Sequence, residues 1–311
     1  MKRVAYLCPG QGAQQVGMGE DLCREFPVAG DAFAEADEAL GFGLRALCAE
    51  GPQEKLTLTE NAQPALLATS VAIARILESE GGLVPQIAAG HSLGEWSAWV
   101  IVGALSFPEA LRAVRQRGRF MQEAVPAGVG AMTALLGADL ATAEELCREA
   151  STESEVVVPA NLNGGGQIVV AGHLAALERL EAVAPARKIR ASRLQVSAPF
   201  HSPLMAPAAK RLEPVLAELG TSAPRAPVVT NVEAKAERDP ARIGPLLLEQ
   251  ITGPVRWEEC ARAVIAEADA ALEVGPGRVL SGLLRRIERS FACAATSDVA
   301  GVRAVLAEHA A

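Results

Sequence analysis

The sequence predicts an α/β protein: a parallel sheet covered by helices, interrupted by a smaller α+β unit. Short, predominantly apolar runs (4–8, 87–89, 227–230, 271–274, 292–294) alternate with helical patterns. Strands buried on both faces of a parallel sheet read this way. Between 131 and 196 the order becomes strand, helix, strand, strand, helix, strand, the split unit of a ferredoxin-like domain. Third, Gly90-His91-Ser92-Leu93-Gly94 breaks an apolar strand into a helix with a serine at the apex. That strand, sharp turn and helix form the pattern of a nucleophile elbow.

The 311 residues suffice for about two domains. Half are hydrophobic and 21% charged, a globular balance, and a net charge of −8 argues against a general nucleic-acid binder. The six cysteines form no C-x-x-C pair and have no metal-ligand spacing with the four histidines. They read as reduced thiols of a cytosolic protein, with no metal site. The apolar N-terminal run ends at Cys8, too short for a signal-peptide core. The longest apolar run, 98–105, is too short for a bilayer, so no membrane role is expected and cytoplasm is the default.

Taken in order, the strand at 4–8 ends in Pro9-Gly10-Gln11-Gly12-Ala13-Gln14. This loop matches neither phosphate-binding glycine pattern. Its two glycines would let the Gln11 N–H approach a reacting carbonyl, and an ordinary tight turn fits the loop equally. Helices follow at 31–40 and 64–80, the second started by Asn61-Ala62-Gln63 with Pro64 in its first turn. At the elbow, glycines two before and two after Ser92 permit close backbone approach. The helix that begins at Leu93 aims free N–H groups at whatever Ser92 holds.

In the helix predicted over 108–124, Ala110, Val114, Arg117, Met121 and Ala124 form one stripe. Arg112, Arg115 and Arg119 lie elsewhere and need only solvent. An arginine on an apolar stripe either snorkels or pairs with a buried anion. No carboxylate partner stands nearby in the helix, which points to a ligand carboxylate.

The inserted unit is predicted as strand 131–136, helix 140–150, strand 156–160, a turn at 163–166, strand 167–171, helix 174–184 and strand 188–196. Pro126, Gly128, Gly130 and Pro199 suit hinges at its ends. The expected domains are therefore 1–126 with 198–311, and 127–197. Beyond it, Ser202-Pro203 reads as a helix start, leaving His201 on a loop before a helix N-terminus. The positive helix end would favour the neutral imidazole of a general base. The remaining helices are expected at 203–219, 241–250, 257–267 and 278–288.

A serine elbow and a histidine make a hydrolase or an acyl transferase. No H-G pair and no D-G pair occurs, and the only late histidine is His309, so the usual Ser, Asp, His order and the serine–aspartate lipase pattern both lose ground.

Seven runs resemble, in order, the malonyl-CoA:acyl-carrier-protein transacylases of fatty-acid and polyketide synthesis. They are P-G-Q-G-A-Q (9–14), G-H-S-L-G-E (90–95), R-G-R-F-M-Q-E-A-V-P (117–126), N-L-N-G-G-G-Q-I-V-V-A-G (161–172), A-P-F-H-S (198–202), Q-I-T-G-P-V-R-W (250–257) and E-V-G-P-G-R-V-L (273–280). The resemblance implies a large α/β-hydrolase-like domain with the ferredoxin-like insert. It implies ping-pong acyl transfer, with Ser92 as nucleophile, His201 as base and then acid, and the backbone carbonyl of Gln250 orienting His201. The N–H groups of Gln11 and Leu93 would form the oxyanion hole. Arg117 would hold the malonyl carboxylate and would otherwise stay buried and unpaired. Met121, Phe200 and His91 would lie along the pocket, with Leu93 and Phe200 crowding an α-methyl branch.

Malonyl-CoA is the implied substrate, phosphopantetheinylated acyl carrier protein the acceptor, no cofactor is needed, and a monomer is expected. Lys188, Arg190 and Arg193, or Arg285, Arg286 and Arg289, could dock the acidic carrier or be solvated basic residues. An acyl-hydrolase that edits carrier proteins and a trans-acting polyketide acyltransferase are the rival enzymes, and a non-catalytic docking subunit the third reading. Where Gly165 stands the family often has proline, which implies a looser hairpin here.

Overall fold

A computed structural model describes residues 3–196 and 198–310. Ser197, the last residue of the expected insert, lies outside the described residues, as do Met1, Lys2 and Ala311. The chain begins with β1 (Val4–Cys8), then α1 (Glu20–Glu25), α2 (Pro27–Leu40), α3 (Leu44–Glu50), α4 (Gln53–Thr57) and α5 (Thr59–Gly81). Next come β2 (Ile87–Gly90), α6 (Leu93–Ile101) and α7 (Phe107–Glu123). The inserted unit is β3 (Gly130–Leu136), α8 (Leu140–Ala150), β4 (Val157–Gly164), β5 (Gln167–His173), α9 (Leu174–Val183) and β6 (Arg190–Arg193). The chain closes with α10 (Ala206–Ala217), β7 (Val228–Val229), β8 (Ala236–Glu237), α11 (Pro240–Glu249), α12 (Trp257–Glu267), β9 (Ala270–Glu273), α13 (Val279–Ile287), β10 (Cys293–Ala295) and α14 (Val299–Ala310).

The larger sheet runs β10-β9-β1-β2-β7-β8 and is parallel except at its β7–β8 edge. Every residue of β1 and β2 is buried, as the unbroken apolar runs required. In the register between them Cys8 faces Gly90, so the loop after β1 and the elbow after β2 emerge side by side at the carboxyl ends. Ligands of open α/β sheets gather at that edge. Helix α6, all nine of whose residues are buried, leaves the elbow straight into the core.

The second sheet runs β4-β5-β3-β6, antiparallel throughout, the strand order of a ferredoxin-like unit. One face packs on α8 and α9 through Leu135, Leu146, Val170 and Leu177. Met132, Ala134, Val169 and Ala171 instead join the core of the larger unit. β4 also bonds across to it: Leu162 N donates to Val255 O and Val255 N to Ala160 O, each at 2.8 Å.

Several expectations need correction. α5 begins at Thr59, not beside Pro64, so Pro64 sits inside the helix. The helix predicted over 203–219 opens as a three-residue 3-10 turn, Pro203–Met205, before α10. α3 and α4 were missed because seven and five residues span too few turns to show a period. Gly164, Gly165 and Gly166 all have positive φ, and a Cβ on Gly165 would stand 2.6 Å from that of Arg286. The hairpin is seated on α13 rather than loosened, and proline with its φ near −65° could not hold that turn.

Candidate active site

Ser92 sits at φ 52°, ψ −106°, a strained conformation that needs tight support. The support is steric: a Cβ on Gly90 would meet the Gly94 carbonyl carbon at 1.9 Å, and one on Gly94 would meet the Cys8 oxygen at 1.9 Å. It is also polar, since the Ser92 N–H donates to Asn231 Oδ1 at 2.8 Å while Asn231 Nδ2 donates to Gly90 O at 2.7 Å.

The Ser92 hydroxyl lies 2.7 Å from His201 Nε2, and His201 Nδ1 lies 2.8 Å from the Gln250 carbonyl. A carbonyl only accepts, so Nδ1 carries the proton and Nε2 accepts from the hydroxyl. His201 is 3% exposed, and burial first, then the charge of Arg117, pushes it down to about 3. The neutral imidazole thus has a different cause from the one expected. Ser202 begins only the 3-10 turn, and its hydroxyl donates to Pro199 O instead of capping a helix.

Arg117 is 1% exposed at the middle of the predicted stripe. Its Nη1 donates to Gln63 Oε1 at 2.9 Å; its Nη2 donates to Gln250 Oε1 at 2.9 Å and to the Ser92 hydroxyl oxygen at 3.2 Å. The expectation of an unpaired guanidinium is corrected: two glutamine carbonyls hold it, and only Nε lacks a partner. Burial lowers its pKa to about 10, so it stays charged at neutral pH. Arg115 and Arg119, expected to need only solvent, lie over the Phe42 and Phe120 rings.

A cavity of about 150 Å³ joins Ser92, His201 and Arg117 to Gln11, Leu93, Met121, Phe200 and His91. It is smaller than the ~300–1,000 Å³ of sites for drug-sized ligands, and fits a short end-group. Among the described residues the backbone N–H groups of Gln11 and Leu93 have no acceptor, whereas that of Ser92 is taken. The cavity can therefore hold a nucleophile, a neutral base, two open amides and a cation.

Sequence reasoning did not find Gln63, Asn163, Asn231, the Gln250 side chain, or the wiring of Glu95. Glu95 is fully buried, and its Oε2 accepts from Asn231 N at 2.9 Å and Gln250 Nε2 at 2.7 Å. Burial raises it to about 7, against those bonds and the charge of Arg117. His91 Nε2 donates to Asn163 Oδ1 of β4 at 2.9 Å, and its ring tilts against Trp257. Glu95 in the G-H-S-L-G-E run, Asn163 in the run 161–172 and Gln250 in the run 250–257 stood in quoted motifs, the signals that could have pointed to them; Gln63 and Asn231 stood in none.

The basic residues considered for docking lie outside the cavity. Lys188, Arg190, Arg285, Arg286 and Arg289 are exposed, while Arg193 bonds both Glu181 oxygens at 2.8 Å. No group of three or more His, Cys, Asp or Glu able to hold a metal occurs among the described residues. No helix among them is long and apolar enough to cross a membrane.

Residues 5–303 match the family model for the acyl transferase domain. The malonyl CoA-acyl carrier protein transacylase of Salmonella typhimurium is 45% identical, covering 99% of this chain and 100% of its own. Its Bacillus subtilis counterpart is 46% identical over 96% and 94%. The Coxiella burnetii transacylase structure superposes with TM-score 0.96 at 40% identity, covering 99% of this chain and 98% of that one. A malonyl-transacylase solved in complex with a type II polyketide-synthase acyl-carrier protein gives 0.95 at 43%, over 98% and 99%. With fold, site and whole-length similarity in agreement, the chain belongs to the acyl transferase family, among the malonyl CoA-acyl carrier protein transacylases.

Proposed function

We propose that this chain moves a malonyl group from malonyl-CoA to the phosphopantetheine thiol of an acyl carrier protein, through a malonyl ester on Ser92. The observation that carries this reading is the buried Arg117, whose Nη2 lies 3.2 Å from the Ser92 hydroxyl oxygen in one small cavity. A cation there suits an acyl group ending in a carboxylate that one methylene separates from the reacting carbonyl.

In the first half-reaction His201 Nε2 takes the Ser92 proton as the oxygen attacks the thioester carbonyl. The Gln250 carbonyl holds Nδ1–H and stabilises the imidazolium. The N–H groups of Gln11 and Leu93 receive the developing oxyanion, a contribution typically worth ~10²–10³ in rate per donor. His201 then protonates the departing CoA sulfur. The second half repeats these steps with the carrier thiol as nucleophile and Ser92 as leaving group.

Arg117 receives the malonyl carboxylate through paired charge-assisted hydrogen bonds. Acetyl groups offer Arg117 no carboxylate, forgo those paired hydrogen bonds and are disfavoured. Leu93 and Phe200 crowd an α-methyl branch, a discrimination of ~1–3 kcal/mol. No cofactor enters these steps. The chain acts as a monomer in the cytoplasm, and Lys188, Arg190, Arg193, Arg285 and Arg286 offer basic surface to the carrier. Incubation with malonyl-CoA and carrier protein, read by mass spectrometry, should give malonyl-carrier. Free malonate as the main product would instead favour the editing hydrolase.

A further inference from the structure

Glu95 has no place in the acyl-transfer steps, yet it is fully buried one turn from Ser92. Its Oε2 accepts two hydrogen bonds, and its Oε1 has no partner. The Gln250 amide bridges it to Arg117: the amide nitrogen donates to Glu95 Oε2 at 2.7 Å, and the amide oxygen accepts from Arg117 Nη2 at 2.9 Å. The other buried carboxylate among the described residues, Glu273, is occupied with the N–H groups of Leu280 and Ser281. The site therefore holds one buried cation and one buried acid joined by a single amide.

We propose that Glu95 is the internal counter-ion of Arg117, and that it takes up a proton when the substrate carboxylate replaces it in that role. The inference rests on the reading of Arg117 as the carboxylate clamp. A bound malonyl carboxylate brings a second anion to one buried cation, and an uncompensated buried charge is strongly unfavourable. Protonation of Glu95 removes the excess. The unpartnered Oε1 can receive that proton while both bonds accepted by Oε2 stay in place.

The surroundings fit this behaviour. Burial holds Glu95 near 7, against hydrogen bonding from Asn231 and Gln250, the Trp99 indole N–H on its own helix and, least, the charge of Arg117, the charged group that acts on it. From α12, Cys260 feels its charge, but burial raises that thiol so that it stays protonated. His91 and His201, on the elbow and the loop opposite, are kept neutral by burial. Pairing Arg117 with substrate removes an influence that lowers Glu95, so the loaded site binds more protons than the empty one above about pH 7. Loading then weakens as pH rises, by up to about tenfold per unit, and is flat below that point. An ordinary imidazole base would impose the opposite slope through ~6.5, but His201 is depressed far below that window.

Glu95 is a positioning residue, so its test reads protons rather than rate alone. Enzyme mixed with malonyl-CoA at pH 7.5 with an indicator dye should take up about half a proton or more per acyl-enzyme formed. The serine proton ends on the CoA thiol, which stays mostly protonated at this pH, so the transfer itself releases little. Slow loading with acetyl-CoA should show no uptake. In Glu95→Gln the fall of malonyl kcat/KM between pH 7 and 9 should vanish while malonyl remains preferred over acetyl. If wild type prefers malonyl but takes up no proton and shows a flat profile, the counter-ion role is wrong. If wild type loads malonyl and acetyl equally well, the clamp fails and the proposal falls with it.

Discussion

The two sheets meet at one cavity but contribute to it in different ways. The parallel sheet delivers the groups proposed to react and their support from backbone held by its core: Ser92 follows β2, the Gln11 loop follows β1, and Asn231 follows β7. The antiparallel sheet and the segment that follows β6 deliver walls and one strut: Met132, Asn161, Leu194 and Val196 line the cavity, and Asn163 holds His91. Ion pairs such as Arg187–Glu145 of the small unit and Arg225–Glu78 of the larger one are partly exposed, whereas Arg117 and Glu95 are buried and joined through the Gln250 amide rather than in direct contact. Exposed pairs contribute little, while breaking a buried one leaves an uncompensated charge. Chemistry in this molecule is concentrated where the backbone has least freedom.

Substitutions on either side of that divide should differ in size. Gly94→Ala puts a methyl group 1.9 Å from the Cys8 oxygen, against backbone that has nowhere to move. A loss of more than ~4 kcal/mol, or no folded protein, is expected in denaturant unfolding. A loss under 1 kcal/mol would mean that the elbow is not packed this tightly. Arg117→Ala should lower malonyl-CoA kcat/KM by ~10²–10³ and improve the relative use of acetyl-CoA. Equal losses with both substrates would mean that Arg117 is structural only.

On the small-sheet side, Asn163→Ala removes the acceptor for His91 Nε2–H without touching Ser92 or His201. A fall of about tenfold in kcat with KM nearly unchanged is expected, together with ~1 kcal/mol of stability. A larger kinetic effect than that of Arg117→Ala would overturn the division of labour between the sheets.

Much of the face proposed to be catalytic was legible because it is written in short-range pattern. The glycine spacing around Ser92, the stripe carrying Arg117 and the loop carrying His201 are all local features, and each of these residues faces the cavity. The order of strands in the insert also followed from periodicity, since α8 and α9 each run long enough to show one. What escaped was the assembly of neutral amides. Gln63, Asn163, Asn231 and Gln250 come from four separate stretches of chain and carry no charge. Asn163 and Gln250 were letters of motif runs, but only the packed chain shows that the four side chains wire Arg117, His91 and Ser92 together. Glu95 was visible as a letter of the motif, but its burial follows from α6 being enclosed on every side. His201 was found for the wrong reason, because burial beside Arg117, not a helix terminus, keeps it neutral.

The central claim is that Ser92 carries the malonyl group. Intact-mass measurement after brief incubation with malonyl-CoA tests it most directly. Wild-type protein should gain the mass of one malonyl group, released on addition of carrier protein, and Ser92→Ala should gain none. A Ser92→Ala protein that acquires the malonyl group at the wild-type rate would contradict the account.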